Sequence, residues 1–114
     1  MTTLGLHLIA DIHGATALDD SARIETALRA AARAARVTVL EVRLHHFGAG
    51  CGVTGVVLLA ESHISIHTWP EHALAAVDIF VCGPHADADA ALAEICRQLG
   101  GAVVMRQAID RLAV

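Results

Sequence analysis

Hydroxyls, imidazoles and carboxylates are concentrated in one short segment, 61–71, of this 114-residue chain. The segment reads Glu-Ser-His-Ile-Ser-Ile-His-Thr-Trp-Pro-Glu and contains the lone tryptophan of the sequence. Its alternation predicts a strand in which Ile64 and Ile66 face the core. A strand that only had to pack would not carry so many groups that need hydrogen-bond partners. The segment is therefore the first candidate for a functional site.

Two familiar kinds of site fit these residues poorly. His63 and His67 could bind a metal ion, but along a strand they lie about 13 Å apart, so His45 or His46 from an earlier strand would have to join them. A serine hydrolase would need a Gly-x-Ser-x-Gly elbow and an aspartate that orients the histidine, and neither is identifiable here. We predict no metal site.

A third kind of chemistry concerns the peptide bond between Glu61 and Ser62. A serine hydroxyl can attack the carbonyl of the preceding residue when the backbone is strained and a base and an oxyanion donor are close. His67 has the opposite strand parity to Ser62, so regular pleating would separate their side chains. This reading therefore requires a kink or bulge near Ser62.

The elements that position the segment follow a simple order. Strands are predicted over residues 4–12, 37–47, 53–60, 62–69, 75–81 and 102–108. Helical spacing of apolar residues predicts one helix after Asp19-Asp20 and a second after Asp87, which Gly100-Gly101 ends. The order β-α-β-β-β-β-α-β predicts an α+β fold, a two-layer sandwich with a mainly antiparallel sheet and two helices on one face.

Such a sandwich leaves the other face of its sheet uncovered. Alternation places His63, Ser65, His67 and Trp69 on one side of their strand, opposite the isoleucines. An uncovered face with this composition predicts a second copy of the chain, a ligand, or both.

Composition excludes several classes of function. The formal net charge is −4 with no basic cluster, so nucleic acid is not an expected partner. No apolar run approaches the roughly 18 residues of a membrane span, and no basic leader precedes the first apolar stretch. Cys51, Cys82 and Cys96 form no disulfide framework or metal knuckle. We expect a single domain over residues 1–114 in the cytoplasm.

A family resemblance rests on four stretches of sequence. The run Leu59-Ala-Glu-Ser-His-Ile-Ser-Ile-His-Thr-Trp-Pro-Glu71, followed by Ala76-Val-Asp-Ile-Phe-Val-Cys-Gly83, resembles the prokaryotic pyruvoyl-dependent S-adenosylmethionine decarboxylases. The opening Leu4-Gly-Leu-His-Leu-Ile-Ala-Asp11 and the hairpin Gly52-Val-Thr-Gly-Val-Val57 resemble the same family. The similarity covers essentially the whole chain.

The resemblance implies that the chain is an inactive proenzyme. Ser62 matches the serine that attacks the Glu61 carbonyl and converts the amide to an ester. Elimination and hydrolysis would then leave a β chain, 1–61, and an α chain, 62–114, that begins with a pyruvoyl group. This covalent cofactor, derived from Ser62, would form the Schiff base with substrate.

The same resemblance implies roles for other side chains. His67 matches the histidine that assists self-processing, and Thr54 stands where the family has a processing hydroxyl, usually serine. Cys82 matches the catalytic cysteine, and a thiol is a suitable proton donor near neutral pH. Phe47 and His67 are the candidates to stack on the substrate adenine. Glu71 is expected to bind the substrate ribose or α-amino group.

The function implied is a carboxy-lyase that converts S-adenosylmethionine to decarboxylated S-adenosylmethionine, the aminopropyl donor for spermidine synthesis, plus carbon dioxide. We expect a homodimer of αβ protomers. One alternative keeps the pyruvoyl group but decarboxylates arginine or ornithine, because the reacting atoms are the same. Another alternative is a dimeric binding or regulatory homologue that never cleaves.

Overall fold

A computed structural model describes residues 2–114. It contains two helices and six strands in the predicted order. Their bounds are β1 Thr3–His13, α1 Ser21–Ala34, β2 Val39–His46, β3 Val53–Leu59, β4 Ser62–Trp69, β5 Leu74–Cys82, α2 Ala88–Leu99 and β6 Ala102–Ala113. A short 3-10 turn, Pro70–His72, joins β4 to β5.

The strands form one sheet in the order β2-β3-β4-β5-β1-β6, and every neighbouring pair is antiparallel. The predicted α+β class is confirmed. The candidate strand β4 lies between β3 and β5, so its side chains have neighbours on both sides. Those neighbours are fixed by register: Thr54 lies opposite His67, and Asp78 lies opposite Ser65.

Both helices begin at the predicted aspartates. The Asp20 carboxylate accepts a hydrogen bond from the Arg23 amide, and the Asp87 carboxylate accepts one from the Ala90 amide. Each cap satisfies an amide that the first helical turn would otherwise leave unpaired. The helix α2 ends at Gly100, whose φ of 77° suits a residue without a Cβ.

The core lies between the helices and one face of the sheet. Ile64 and Ile66 of β4 are both buried there, as alternation predicts. Thr68 is the one buried polar side chain among the described residues. Its hydroxyl donates to the Leu18 carbonyl at 2.7 Å and accepts from the Val53 amide at 2.8 Å. These two hydrogen bonds offset the cost of burying the hydroxyl, and the bond to Val53 links β4 to β3.

Two details of the strands depart from a regular pattern or from the predicted bounds. The register of β2 against β3 shifts between Val39 and Glu41, which turns Leu40 out to solvent (66% exposed) while Val39 packs against the core. The strand β6 continues to Ala113 rather than ending at 108, because its pairing with β1 runs on to Thr3. Across the part of the chain that the structure describes, no helix is long and apolar enough to span a membrane.

Candidate active site

The face of the sheet that carries no helix, here called the open face, holds most of the predicted site residues. The relevant side chains are His7 of β1, Thr54 of β3, His63, Ser65 and His67 of β4, and Asp78, Phe80 and Cys82 of β5. On each strand they alternate with buried residues that face the helices. The open face is therefore a polar and aromatic surface supported by an apolar one.

Ser62 lies at the first position of β4, directly after a tight connection from β3. Its φ is 131°, a value that residues with a side chain rarely adopt. Such backbone costs on the order of 1–3 kcal/mol and persists only where the surroundings impose it. The irregularity predicted near Ser62 is this positive φ. The register of β4 against β3 and β5 does not shift. Strain of this kind makes the peptide bond between Glu61 and Ser62 a candidate for reaction.

The carbonyl of Glu61 already has a hydrogen-bond donor. The backbone amide of Cys82 donates to the Glu61 carbonyl oxygen at 2.9 Å. If Ser62 attacks this carbonyl, the oxygen gains negative charge, and an amide in that position stabilises it. The structure thus supplies the oxyanion donor that an attack of Ser62 on the Glu61 carbonyl would require.

The side chain of Glu61 is engaged elsewhere. Its carboxylate accepts from the Thr38 amide at 2.9 Å and contacts Nε2 of His85 at 3.0 Å. The Thr38 hydrogen bond, followed by that of His85, lowers the pKa of the Glu61 carboxyl below its ordinary value. The carboxylate is charged and held at neutral pH, so we assign it no part in the attack.

Thr54 and His67 form a hydrogen-bonded pair. Oγ1 of Thr54 lies 2.6 Å from Nδ1 of His67. The His67 ring packs against Trp69 at a centroid distance of 4.3 Å and against Phe47 at 5.9 Å. Phe47 is 54% exposed, so this aromatic group is open to a ligand. No role was predicted for Trp69, although its parity with His67 pointed to the same surface.

This pair lies far from Ser62 within one chain. Ser62 and His67 are five residues apart on β4, which corresponds to roughly 16 Å of extended strand. Thr54 lies opposite His67 in register and is therefore equally distant. Within one chain, the structure therefore does not bring His67 or Thr54 within reach of Ser62.

Cys82 and Glu71 lie at opposite ends of the same sheet region. Cys82 is exposed at the end of β5, next to Val81, which is the partner of Ser62. A cleft of 380 Å³ beside it is lined by residues of both β1 and β5. Glu71 is exposed in the turn after β4, so it lies at the same end of β4 as His67. A second cleft, of 330 Å³, is lined by both Thr54 and His67.

A cluster that sequence reasoning missed lies between these two ends. Nδ1 of His63 is 3.2 Å from Oγ of Ser62, and its Nε2 is 3.4 Å from Oδ2 of Asp78. Nε2 of His7 contacts the other oxygen of Asp78, and Arg111 contacts Nδ1 of His7 at 2.9 Å. Asp78, which the sequence pattern did not identify, is the carboxylate that faces the histidine beside Ser62. Counting register outward from the Pro70–His72 turn would have placed Asp78 beside β4.

Within residues 2–114, no group of three or more histidine, cysteine, aspartate or glutamate side chains is arranged to hold a metal ion. The three cysteines are unpaired. Burial raises the pKa of the Cys96 thiol, which packs against the core, whereas Cys51 and Cys82 are exposed.

Comparison with known proteins identifies the family. The S-adenosylmethionine decarboxylase family matches residues 6–112. The chain belongs to this family. It is 44% identical over 111 residues to the S-adenosylmethionine decarboxylase proenzyme of Aquifex aeolicus, which covers 96% of this chain and 82% of that one. It is 46% identical over 97 residues to the proenzyme of Methanococcus maripaludis, with 83% and 79% covered.

The fold agrees with a solved member of the S-adenosylmethionine decarboxylase family. The crystal structure of the adenosylmethionine decarboxylase from Aquifex aeolicus matches with a TM-score of 0.89 and 42% sequence identity. The match covers 100% of this chain and 95% of that chain. The resemblance deduced from the sequence motifs is confirmed, and the chain is a member of a lyase family.

Proposed function

We propose that this protein is a proenzyme that cuts its own chain between Glu61 and Ser62 and then decarboxylates S-adenosylmethionine with a pyruvoyl group formed from Ser62. One observation carries the proposal: a strained serine follows a carbonyl that is already held by the Cys82 amide. The family relatives are named proenzymes, which agrees with a chain made in uncut form.

Self-cleavage begins with a shift of the acyl group. Oγ of Ser62 forms a bond to the Glu61 carbonyl carbon, the peptide C–N bond breaks, and the nitrogen of Ser62 becomes a free amine. Loss of the Ser62 α-proton then breaks the Cβ–Oγ bond of Ser62 and releases the main-chain carboxylate of Glu61. The dehydroalanine that remains is hydrolysed to the pyruvoyl group and ammonia. The products are a β chain of residues 1–61 and an α chain of residues 62–114.

The residues around Ser62 fit the group that this sequence of steps would produce. A pyruvoyl group supplies an electrophilic carbonyl that accepts the electron pair left behind when carbon dioxide departs. Cys82 is exposed beside it on the open face, and we assign its Sγ to return a proton to the substrate α-carbon. This role requires a reduced thiol, which agrees with a cytoplasmic location.

The substrate adenine is assigned to the aromatic group formed by Phe47, which follows β2, and His67 of β4. Their ring centroids lie 5.9 Å apart, and aromatic rings of this kind stack on nucleobases. We assign Glu71, at the same end of the sheet, to accept hydrogen bonds from the substrate ribose or α-amino group. The product would be the aminopropyl donor used in spermidine synthesis.

A second copy of the chain completes the proposed site. Within one copy, Ser62 and His67 are roughly 16 Å apart. A two-fold axis midway between these positions would bring His67 of each copy to Ser62 of the other. In a two-fold symmetric interface, a residue i of one copy that contacts residue j of the second is matched by j of the first contacting i of the second. The open face also exposes apolar side chains, including Leu58 at 43% and Ile109 at 44%. We therefore propose a homodimer of αβ protomers.

Complementation between two inactive variants tests this assembly. Ser62→Ala removes the nucleophile and His67→Ala removes the assisting imidazole, so neither chain alone is expected to finish cleavage. When the two are co-expressed, a mixed dimer combines Ser62 of one chain with His67 of the other, and the His67→Ala chain is then cut. If it stays uncut in isolated mixed dimers, Ser62 and His67 do not act across the interface.

Substrate choice is tested by carbon dioxide release. Cut protein is supplied with carboxyl-labelled S-adenosylmethionine, arginine and ornithine in parallel, and Ser62→Ala serves as the inactive control. Release from S-adenosylmethionine alone is expected. Faster release from arginine or ornithine would assign the chain to another amino acid, and the absence of cleavage and release from all three would favour a binding role.

A further inference from the structure

The imidazole in contact with the Ser62 hydroxyl is that of the next residue, His63. Oγ of Ser62 lies 3.2 Å from Nδ1 of His63. The unusual φ of Ser62 is what allows two successive side chains of a strand to meet, since regular pleating would direct them to opposite faces. This contact lies within one chain, unlike the distance of roughly 16 Å to His67.

The far side of the His63 ring faces a carboxylate. Nε2 of His63 is 3.4 Å from Oδ2 of Asp78. A carboxylate only accepts hydrogen bonds, so this contact favours the tautomer with its proton on Nε2. Nδ1 then presents a lone pair to the hydroxyl of Ser62. Nucleophile, base and orienting carboxylate form the arrangement that activates serine in nucleophilic catalysis.

Asp78 is in turn held by two donors, His7 and Ser65, and Arg111 positions the first of them. Arg111 of β6 contacts Nδ1 of His7 at 2.9 Å, and because a guanidinium only donates, this nitrogen is an acceptor. His7 therefore carries its proton on Nε2 and donates it to Oδ1 of Asp78. Ser65 donates to Oδ2 at 3.5 Å. These donors hold Asp78 as an acceptor toward His63.

We propose that His63 is the base for the first step of self-cleavage and that Asp78 is its positioning residue. The inference rests on the proposed self-cleavage. Nδ1 of His63 takes the proton from Oγ of Ser62 as the new C–O bond forms. The same proton passes to the Ser62 nitrogen as the C–N bond breaks, so no proton is gained or lost overall. His67 of the second copy is left to act later, on the α-proton of the ester.

Two substitutions of His63 separate a base from a structural contact. His63→Gln retains an amide group that reaches Asp78 but removes the nitrogen that faces Ser62, and His63→Ala removes both. Uncut chains are made by cell-free synthesis, and the appearance of fragments 1–61 and 62–114 is followed by mass. Thermal unfolding of each variant establishes that it folds. His13→Ala, an exposed histidine at the end of β1, is the matched control.

We expect His63→Gln and His63→Ala to slow cleavage by about 10²–10⁴-fold, with His13→Ala at the wild-type rate. Added imidazole should restore part of the rate of His63→Ala. Hydroxylamine should not cut either variant, because no ester has formed, whereas it should cut a His67→Ala chain stalled at the ester. Asp78→Asn, which keeps an acceptor oxygen, should retain more of the rate than Asp78→Ala.

Cleavage of His63→Gln at the wild-type rate would overturn the proposal and leave His63 a structural role. Accumulation of a hydroxylamine-sensitive ester in His63→Ala would also overturn it, by placing His63 after the acyl shift. If wild-type chains themselves stay uncut, the proposed self-cleavage is what fails. Failure of self-cleavage is distinguishable from failure of the His63 proposal because it is seen in the wild-type chain, without any variant.

Discussion

The helix-covered face and the open face of the sheet are built from alternate residues of the same strands. On β4, Ile64, Ile66 and Thr68 are buried under the helices, while His63 and His67 are partly exposed on the other side. Among the described residues, the buried side chains of the covered face are apolar apart from the hydrogen-bonded hydroxyl of Thr68. The open face carries imidazoles, carboxylates, a thiol and aromatic rings.

This difference shows how packing can set the geometry of a site that it does not contact. The apolar residues fix the register of each strand, since a slip by one residue would move them all to the open face. The same register places Thr54 opposite His67 and Asp78 opposite Ser65. We therefore expect substitutions on the covered face to affect mainly stability, and those on the open face to affect mainly chemistry.

The largest effect is expected for Cys82→Ala on the open face. The substitution removes the proposed proton donor, so kcat for decarboxylation should fall by about 10²–10⁴-fold. Cleavage of the chain should continue, because the Cys82 amide that holds the Glu61 carbonyl is unchanged. Carbon dioxide release and fragment mass measure the two effects separately. Decarboxylation at the wild-type rate would exclude Cys82 as the donor.

The next largest effect is expected for Ile64→Ala on the covered face. Ile64 is fully buried, and truncating such a side chain lowers the free energy of unfolding by about 2–5 kcal/mol. His67→Ala on the same strand loses one hydrogen bond and should cost about 1 kcal/mol. Both are measured by urea unfolding at one protein concentration in a Ser62→Ala background, so that no chain is cut. Equal losses would contradict the division between the faces.

A smaller effect is expected for Phe47→Ala at the aromatic end of the open face. Loss of one stacking surface should raise KM for S-adenosylmethionine by about fivefold, or about 1 kcal/mol, because the second proposed stacking ring, His67, is retained. The rate of self-cleavage should not change, since a phenyl ring has no group that can take or give a proton. An unchanged KM would place the adenine elsewhere.

The sequence predicted what depends on local patterns. Asp20 and Asp87 were identified as helix caps because capping involves only nearby amides, and the two faces of β4 followed from the alternation of Ile64 and Ile66. The order of elements then determined the fold class. The family motif identified Ser62, His67 and Cys82 as candidates, and the structure places each on or beside the open face.

What the sequence did not predict depends on contacts between distant residues. His7 meets Asp78 only because β1 pairs with β5, seventy-one residues further along the chain. The outward turn of Leu40 follows from a register shift against β3, which no pattern within β2 reveals. The distance between Ser62 and His67 is a property of a straight strand. It became informative only once the pairing of β4 showed no bulge to shorten it.

The intact mass of the purified protein under denaturing conditions tests the central claim most directly. Self-cleavage predicts two chains of 61 and 53 residues, the larger ending in the Glu61 carboxylate and the smaller lacking a free amino terminus. Ser62→Ala should remain one uncut chain, because a methyl group cannot attack the carbonyl. A wild-type chain that stays whole after long incubation, with Ser62 an unmodified serine, would contradict it.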